Sequence, residues 1–387
     1  MIYKFDNGTF SGEIDSENRM LNGVFTYNSG ATFEGEYKDN KMYKGKYTNS
    51  NGDVYEGYFK NEQFSGKGTY IWANGNTYVG DWVKNKREGY GVFTRADGGV
   101  YEGEWARDSY NGNGTYRYSD GAVYVGKWLD GDKHGNGVLT LADGTLFEGK
   151  WVKNKFKGKG VRTAPNGSKI IGTWDGDEVI GKAKVILSDG GVYVGTLVGR
   201  KFDGKGNVKF ASGAIYKGEF KKNKMQGYGV MKYADGDVYK GEWKDSVKQG
   251  FGTYRFKNGN VYVGKFKDDV PNGKGRETNK DGSKYDGDYK NGKKCGRGEA
   301  TFKNGNRYNG EWQDDYPHGK GTYWYVDGVM YNGQFSMGKQ HGQGAMYYND
   351  GHKYEGEFHN GVRQGYGKYS TPEGVVYEGE WVDGNPK

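Results

Sequence analysis

Five histidines (His134, His318, His341, His352 and His359) and a single cysteine, Cys295, are the side chains in this sequence best suited to ligating a transition metal. A closed metal site needs several such donors to converge, and these are scattered along the chain. One cysteine makes neither an intrachain disulfide nor a cysteine-rich zinc module. Carboxylates come in alternating pairs, Glu102/Glu104, Glu355/Glu357 and Glu378/Glu380, each within the same Tyr-Glu-Gly-Glu context. Paired acids do general acid–base chemistry when their surroundings hold their pKa values apart. Copies in one repeated context have no such difference, so they are expected to be surface charge. No nucleophile–base arrangement or calcium motif stands out, and the recurrent Gly-x-Gly precedes a strand pattern, unlike a dinucleotide fingerprint. We expect no enzyme activity, no cofactor and no metal.

The basic residues carry a clearer pattern. Lys86, Lys155, Lys224 and Lys293 recur every 69 residues. They sit in Lys84-Asn-Lys-Arg87, Lys153-Asn-Lys-Phe-Lys157, Lys221-Lys-Asn-Lys224 and Lys290-Asn-Gly-Lys-Lys294. The candidate anion-binding set is therefore Lys84, Lys86, Arg87, Lys153, Lys155, Lys222, Lys224, Lys293 and Lys294. Its chemistry suits a phosphoinositide or other anionic lipid surface, or an acidic partner. Ordinary solvated turn lysines would look the same. Intervening turns such as Asp130-Gly-Asp132 and Asp314-Asp315 are acidic, and 57 basic against 49 acidic residues leave only +8. That balance argues against nucleic acid, whose binding rests on many unopposed phosphate contacts.

What positions these groups is a repeat. The pattern aromatic-x-Gly-x-aromatic starts at Phe10, Phe33, Tyr55, Tyr78, Tyr101, Tyr124, Phe147, Ile170 and Tyr193, and continues to Tyr377. Successive starts lie 23 residues apart, except for the 22 from Phe33 to Tyr55. Residues 10–387 thus make sixteen full copies and a final half, after a lead-in over 1–9. In the copy from Tyr101, glycines stand at Gly103, Gly112, Gly114 and Gly121, and these four places hold most of the 72 glycines. The glycine excess is positional, which excludes a low-complexity linker.

Alternation puts Tyr101, Gly103 and Trp105 on one face of a strand, and Gly112, Gly114, Tyr116 and Tyr118 on the same face of the next. Glu102 and Glu104 then point to the wet face. Asp120-Gly121 has the chemistry of a tight hairpin turn, and Ala106–Asn111 reads as a longer one. A bare Cα lets a ring lie flat on the backbone, so the aromatics, 16% of the chain, do the burying that its scarce aliphatic residues cannot. The expected fold class is all-β, an elongated antiparallel β-hairpin solenoid with a single continuous twisted sheet. At strand spacing of ~4.8 Å such an array would be about 150 Å long. No run of apolar residues is long enough to span a membrane as a helix. The opening Met1-Ile-Tyr-Lys-Phe-Asp lacks a signal-peptide core, so a cytoplasmic, non-secreted protein is expected.

The unit resembles the MORN (membrane occupation and recognition nexus) repeat, close to Tyr-x-Gly-x-Trp-x-x-Gly-x-x-x-Gly-x-Gly. Tyr78–Gly91, Tyr124–Gly137 and Tyr308–Gly321 match closely, with His134 and His318 where the family often places histidine. The resemblance implies a twisted antiparallel β-rod that scaffolds protein assemblies at membrane–cytoskeleton junctions, in cilia or in radial spokes. It also implies self-association through C-terminal copies, for which Tyr377 and Trp381 mark the candidate edge. Copies near 10–54 and 170–200 depart from the pattern, with Leu21 and Tyr43 in place of glycine, Ile170 for the first ring, Ala183 for a glycine and Leu197 for Trp. They suggest a cap at the first and a bend or partner site at the second. The expected function is a structural scaffold offering a flat, Tyr-rich surface to cytoskeletal or ciliary protein partners. The alternative is a peripheral adaptor for anionic membranes.

Overall fold

The computed structural model describes all residues from Met1 to Lys387. It has thirty-five β-strands and no helix, so no helix is long and apolar enough to cross a membrane. The chain divides into two compact units, Met1–Ser188 and Asp189–Lys387. Within each, every strand pairs antiparallel with its neighbours in sequence, giving an all-β hairpin solenoid.

Register is set by glycine against glycine. In the first unit Gly91 faces Gly103, Gly103 faces Gly114, and Gly114 faces Gly126. In the second, Gly206 faces Gly218 and Gly218 faces Gly229. In the regular copies the leading ring lies over such a pair, whereas in the copy from Phe147 the ring on Gly149 and Gly160 is Phe156, and the copy from Ile170 has no leading ring. Tyr78, Tyr101, Tyr124, Tyr216, Tyr239, Tyr308 and Tyr354 are fully buried. A Cβ added to Gly91 would lie 2.5 Å from two carbons of the Tyr78 ring, and one on Gly103 would lie 2.5 Å from the Cα of Gly114. Only hydrogen fits there. The ring covers backbone that two glycines leave bare, and the sheet makes a core from one of its own faces.

In the regular copies the leading ring is gripped from both sides. Tyr78 meets the edge of Trp82 from its own copy and of Trp105 from the next, both at 5.1 Å between centroids. The polar ends are satisfied inside the same cluster. The Tyr101 hydroxyl donates to the Glu104 carbonyl at 2.8 Å, and the Trp105 indole N–H to the Gly91 carbonyl at 3.1 Å.

Two expectations about the second strand fail. The tight turn is Arg107-Asp108, directly between the paired Ala106 and Ser109, with φ of 50° and 69°. Equivalent pairs, Lys84-Asn85, Lys153-Asn154 and Lys222-Asn223, are left-handed at both residues too. Asp120-Gly121 belongs instead to the longer link Tyr118–Ala122, where only Gly121 is left-handed, at φ 93°. A two-residue turn matched to strand twist needs positive φ at both central positions, and Asn or Asp tolerates it nearly as well as glycine does. Gly112 does not share the ring face. It has φ 64° in a bulge where Asn111–Asn113 oppose Glu104 alone, and a Cβ there would collide with the Glu104 side chain.

Gly114→Ala should lower stability by about 1–3 kcal/mol, the cost of overpacking a closed site. Thr115→Ala, on the opposite face of the same strand, should stay within about 0.5 kcal/mol. Urea unfolding followed by tryptophan fluorescence compares them. Equal midpoints would mean that the ring does not rest on the glycine.

Candidate interaction surfaces

The carboxylates assigned to the wet face have a job in the backbone. Glu104 Oε1 accepts the Asn113 N–H at 2.8 Å, closing the bulge. Asp81 does so for Tyr90 at 3.0 Å, Glu242 for Phe251 at 3.1 Å, and the amide oxygen of Gln334 for Gln343 at 2.9 Å. Burial opposes ionisation of Asp81, but Lys67 and the Tyr90 N–H together hold its carboxyl below the usual range. In the pair Glu102/Glu104 the second acid is therefore a clasp and not an interchangeable surface charge.

The edge formed by the tight turns is stitched from copy to copy. Asp108 N–H donates to the Arg87 carbonyl at 3.1 Å while its Oδ1 accepts the Arg87 N–H at 2.9 Å. The same exchange joins Asn85 to Phe64, Asn154 to Lys133, Asn223 to Phe202 and Asp269 to Lys248. Sequence reasoning missed these links, although their signal was present as Asn or Asp at the second turn position. On the opposite edge Asp53 accepts from the Tyr70 hydroxyl and the Ala73 N–H, both at 2.8 Å, and Asp237 binds Tyr254 and Lys257 likewise.

The nine basic candidates fall into three environments. Lys84, Lys153 and Lys222 are exposed at left-handed turn tips, and Lys155 is exposed beside one. Lys86, Lys224 and Lys293 reach aspartates of the following copy, Asp108 at 2.7 Å and Asp245 and Asp314 at 3.3 Å. Arg87 and Lys294 lie on the aromatic face. The Arg87 guanidinium stands 4.3 Å from the Trp105 ring centre and within 6 Å of Trp72, Tyr78 and Phe93, and it donates to the Asp108 carbonyl. Lys294 sits 5.0 Å over Tyr285 and 3.1 Å from Glu277.

Arg87 and Lys294 share a structural position with Lys133, Lys248 and Arg363. Each faces the second aromatic of its own hairpin: Arg87 opposite Trp82, Lys133 opposite Trp128, Lys248 opposite Trp243. In some other copies an aromatic takes this place, and in the rest Met, Val, Pro or Gln does. Tyr110 stacks on Tyr101 at 3.8 Å, and Phe202 on Tyr193 at 3.8 Å. In these copies the leading ring is sandwiched between glycine backbone below and a ring or a cation above. Burial lowers the Lys133 and Lys248 pKa values.

The leading tyrosines cannot supply the Tyr-rich surface expected of them, since they are wholly covered. Four exposed aromatics lie on the other face, each between two glycines of a second strand: Tyr90, Tyr228, Phe251 and Tyr366. At the candidate C-terminal edge Trp381 is buried and donates to the Gly367 carbonyl, while Tyr377 is only partly covered and bonds to the Glu380 carbonyl. Asn385–Pro386 folds back onto Trp381 and Val382. No three His, Cys, Asp or Glu side chains converge as a metal would require. His341 and His359 do face each other, at 5.0 Å between ring centres.

The family model described as "MORN repeat" matches fourteen segments: the six copies from 33 to 169 and the eight from 216 to 387. The chain belongs to the MORN repeat family. Residues 1–32 and 170–215 lie outside the matches. In the latter stretch Ile170 and Ala183 are buried where a ring and a glycine stand in other MORN copies, and aliphatic Val179 packs near Gly172. No curated protein matches the chain. Among solved structures, a mutant of the TCP10 domain of Danio rerio CPAP shares 15% identity over 57% of this chain and 99% of its own, at a TM-score of 0.29. The TCP domain of Drosophila melanogaster SAS-4, solved with a proline-rich motif of Ana2, shares 13% over 52% and 90%, at 0.24. Virginiamycin B lyase from Staphylococcus aureus shares 9% over 85% and 100%, at 0.12. Overlaps this small carry no argument about the MORN chain.

Two outcomes follow from these environments. Arg87→Ala should cost about 1–3 kcal/mol through lost ring contact and hydrogen bonds, and Lys84→Ala less than about 0.5 kcal/mol. Thermal unfolding of the two variants reads this directly. Burial also pushes the Tyr193 and Tyr216 hydroxyls up to about 12. A folded pKa above the unfolded value of about 10 favours the protonated fold, so this stability is complete below pH ~10 and is lost as pH rises toward ~12. Tyrosinate absorbance and far-UV circular dichroism should change together across that window. Complete ionisation of all 35 tyrosines near pH 10 with the strands intact would contradict the buried hydroxyls.

Proposed function

We propose that this chain is a non-catalytic scaffold whose partners bind the face opposite the leading rings. The observation that carries the reading is the contrast between two sets of aromatics. Tyr78, Tyr216, Tyr239 and Tyr354 are 0% exposed, whereas Tyr90, Tyr228, Phe251 and Tyr366 are 50%, 54%, 55% and 59% exposed. The second set follows the bulges, and the N–H groups of Tyr90 and Phe251 are clasped by Asp81 and Glu242. Beside Tyr90 runs a ladder of directly opposed residues, Thr69, Val79, Val92 and Glu102. Exposed tyrosine on a stiff sheet loses little side-chain freedom on binding and buries much area. The remaining polar chemistry is engaged in turns, bulges and stitches, which supports a structural role over a catalytic one. The setting we propose, on the family alone, is a cytoplasmic cytoskeletal or ciliary assembly, with self-association at the strand Val376–Val382.

A second reading has its own support. Lys84 and Lys153 project from equivalent turns in the first unit and Lys222 from one in the second, all exposed. They could hold the chain to an anionic membrane while the aromatic face stays closed.

A photo-crosslinking residue at Tyr90 or Tyr366, introduced in the native cell, should capture protein partners, and one at Lys84 should not. Sedimentation with phosphoinositide vesicles separates the readings. Salt-sensitive binding abolished by Lys84→Glu, Lys153→Glu and Lys222→Glu together, with no protein adducts at Tyr90 or Tyr366, would replace the scaffold by the membrane adaptor.

A further inference from the structure

The residue facing the second aromatic of each hairpin covers the leading ring, and in several copies it is a cation. In the first two copies it is a methionine: Met20 faces Ile14, and Met42 faces Tyr37. Here the aromatic face opens into a cavity of about 580 Å³, lined by Phe25, Tyr27, Tyr37, Tyr47 and Phe59 among others. That volume lies within the range of ordinary ligand sites.

Two features distinguish this cavity from a packing gap. Tyr37 is 8% exposed, and its hydroxyl is buried without a hydrogen-bond partner. Where Trp takes the same place, its N–H is satisfied by a glycine carbonyl, as Trp82 is by Gly68. A buried hydroxyl left unpaired costs free energy, so this wall of the cavity is less well satisfied than in the Trp copies. The second feature is charge: Glu62 is the one carboxylate in the lining, and no lysine or arginine is present. Its charge reaches Tyr27, raising that hydroxyl's pKa after burial has done so.

We propose that this cavity binds an alkylammonium group from outside the chain. The chain displays the mode of recognition itself. Lys133 lies 5.3–5.7 Å from the centres of Tyr118, Tyr124 and Trp151, and its Nζ donates to the Tyr118 hydroxyl at 3.3 Å. Rings with their negative faces toward a cation, freed of water, are a general means of holding amines. In the methionine copies the rings remain and the cation is missing. The guest's alkyl stem would lie against Phe25, Phe59 and the methionines, its ammonium would face the rings, and Glu62 in the lining would balance the charge. This site lies on the face opposite the proposed partner surface and stands or falls independently of it.

The test uses the full chain and titrates n-pentylammonium against its neutral counterpart 1-pentanol, followed by NMR and tyrosine fluorescence. The amine should bind at least about fivefold more tightly, and Glu62→Gln should weaken it by about three- to tenfold. Met42→Lys should abolish binding while leaving the melting temperature unchanged or raised, because the cage then holds its own cation. That variant separates an occupied site from a failed fold. In a second arm, N-acetyl-lysine methylamide is compared with n-pentylammonium, and the tighter of the two tells a protein lysine from a free amine. Equal affinity for pentanol, no binding of either amine, or binding indifferent to Met42→Lys would overturn the proposal.

Discussion

A tyrosine ring lying flat on two facing glycines is the contact on which the rest of this molecule depends. It demands glycine on adjacent strands at the same height, and so it sets the register of the pairs it spans. Gly103 opposite Gly114 and Gly206 opposite Gly218 are the same requirement met twice. It also explains how a sheet with no opposing layer holds together. Most sheets bury one face against a helix or a second sheet, but here the sheet's own rings shield its backbone. Side chains alternate faces along a strand, so moving either strand by one residue would set a Cβ where the ring must lie.

The same contact dictates where polar groups go. A tyrosine hydroxyl and an indole N–H buried beside bare backbone need partners, and neighbouring carbonyls supply them without any further side chain. The bulge at Gly112 lets the second strand rejoin the ladder after a two-residue turn, and it leaves an N–H that Glu104 accepts. Turn asparagines and aspartates then tie each copy to the one before. Most ionisable groups of the repeat thereby acquire structural partners. The far face and the turn tips are left exposed, and around Tyr37 the aromatic face opens into a cavity.

Whether a basic residue is available to a ligand was not legible from its neighbours in sequence. Lys86 and Arg87 are adjacent, yet one reaches outward to an aspartate and the other lies against four rings. Strand alternation decides between them, and applying it required knowing that the turn ends before Lys86. The turn itself was misread because Asp-Gly is the commoner signal of a tight hairpin, whereas this chain places Lys-Asn and Arg-Asp there at positive φ. Gly112 was misassigned for a related reason, since strict alternation cannot foresee a bulge. The buried state of the leading tyrosines also followed from three-dimensional packing, because a tyrosine above glycine could be a lid or a platform until the residue that covers it is known.

The amino-acid sequence by itself determined the strand content, the period, the pairing of rings with glycines and the family, since all of these are written in residue type and spacing, which local stereochemistry reads directly. Only the tertiary structure decided which turn is tight, which cations are enclosed, which aromatics meet solvent and where a cavity remains. Those properties depend on what the neighbouring copy places across a strand pair, some twenty residues away in the chain but one strand away in space, and no local rule contains that distance.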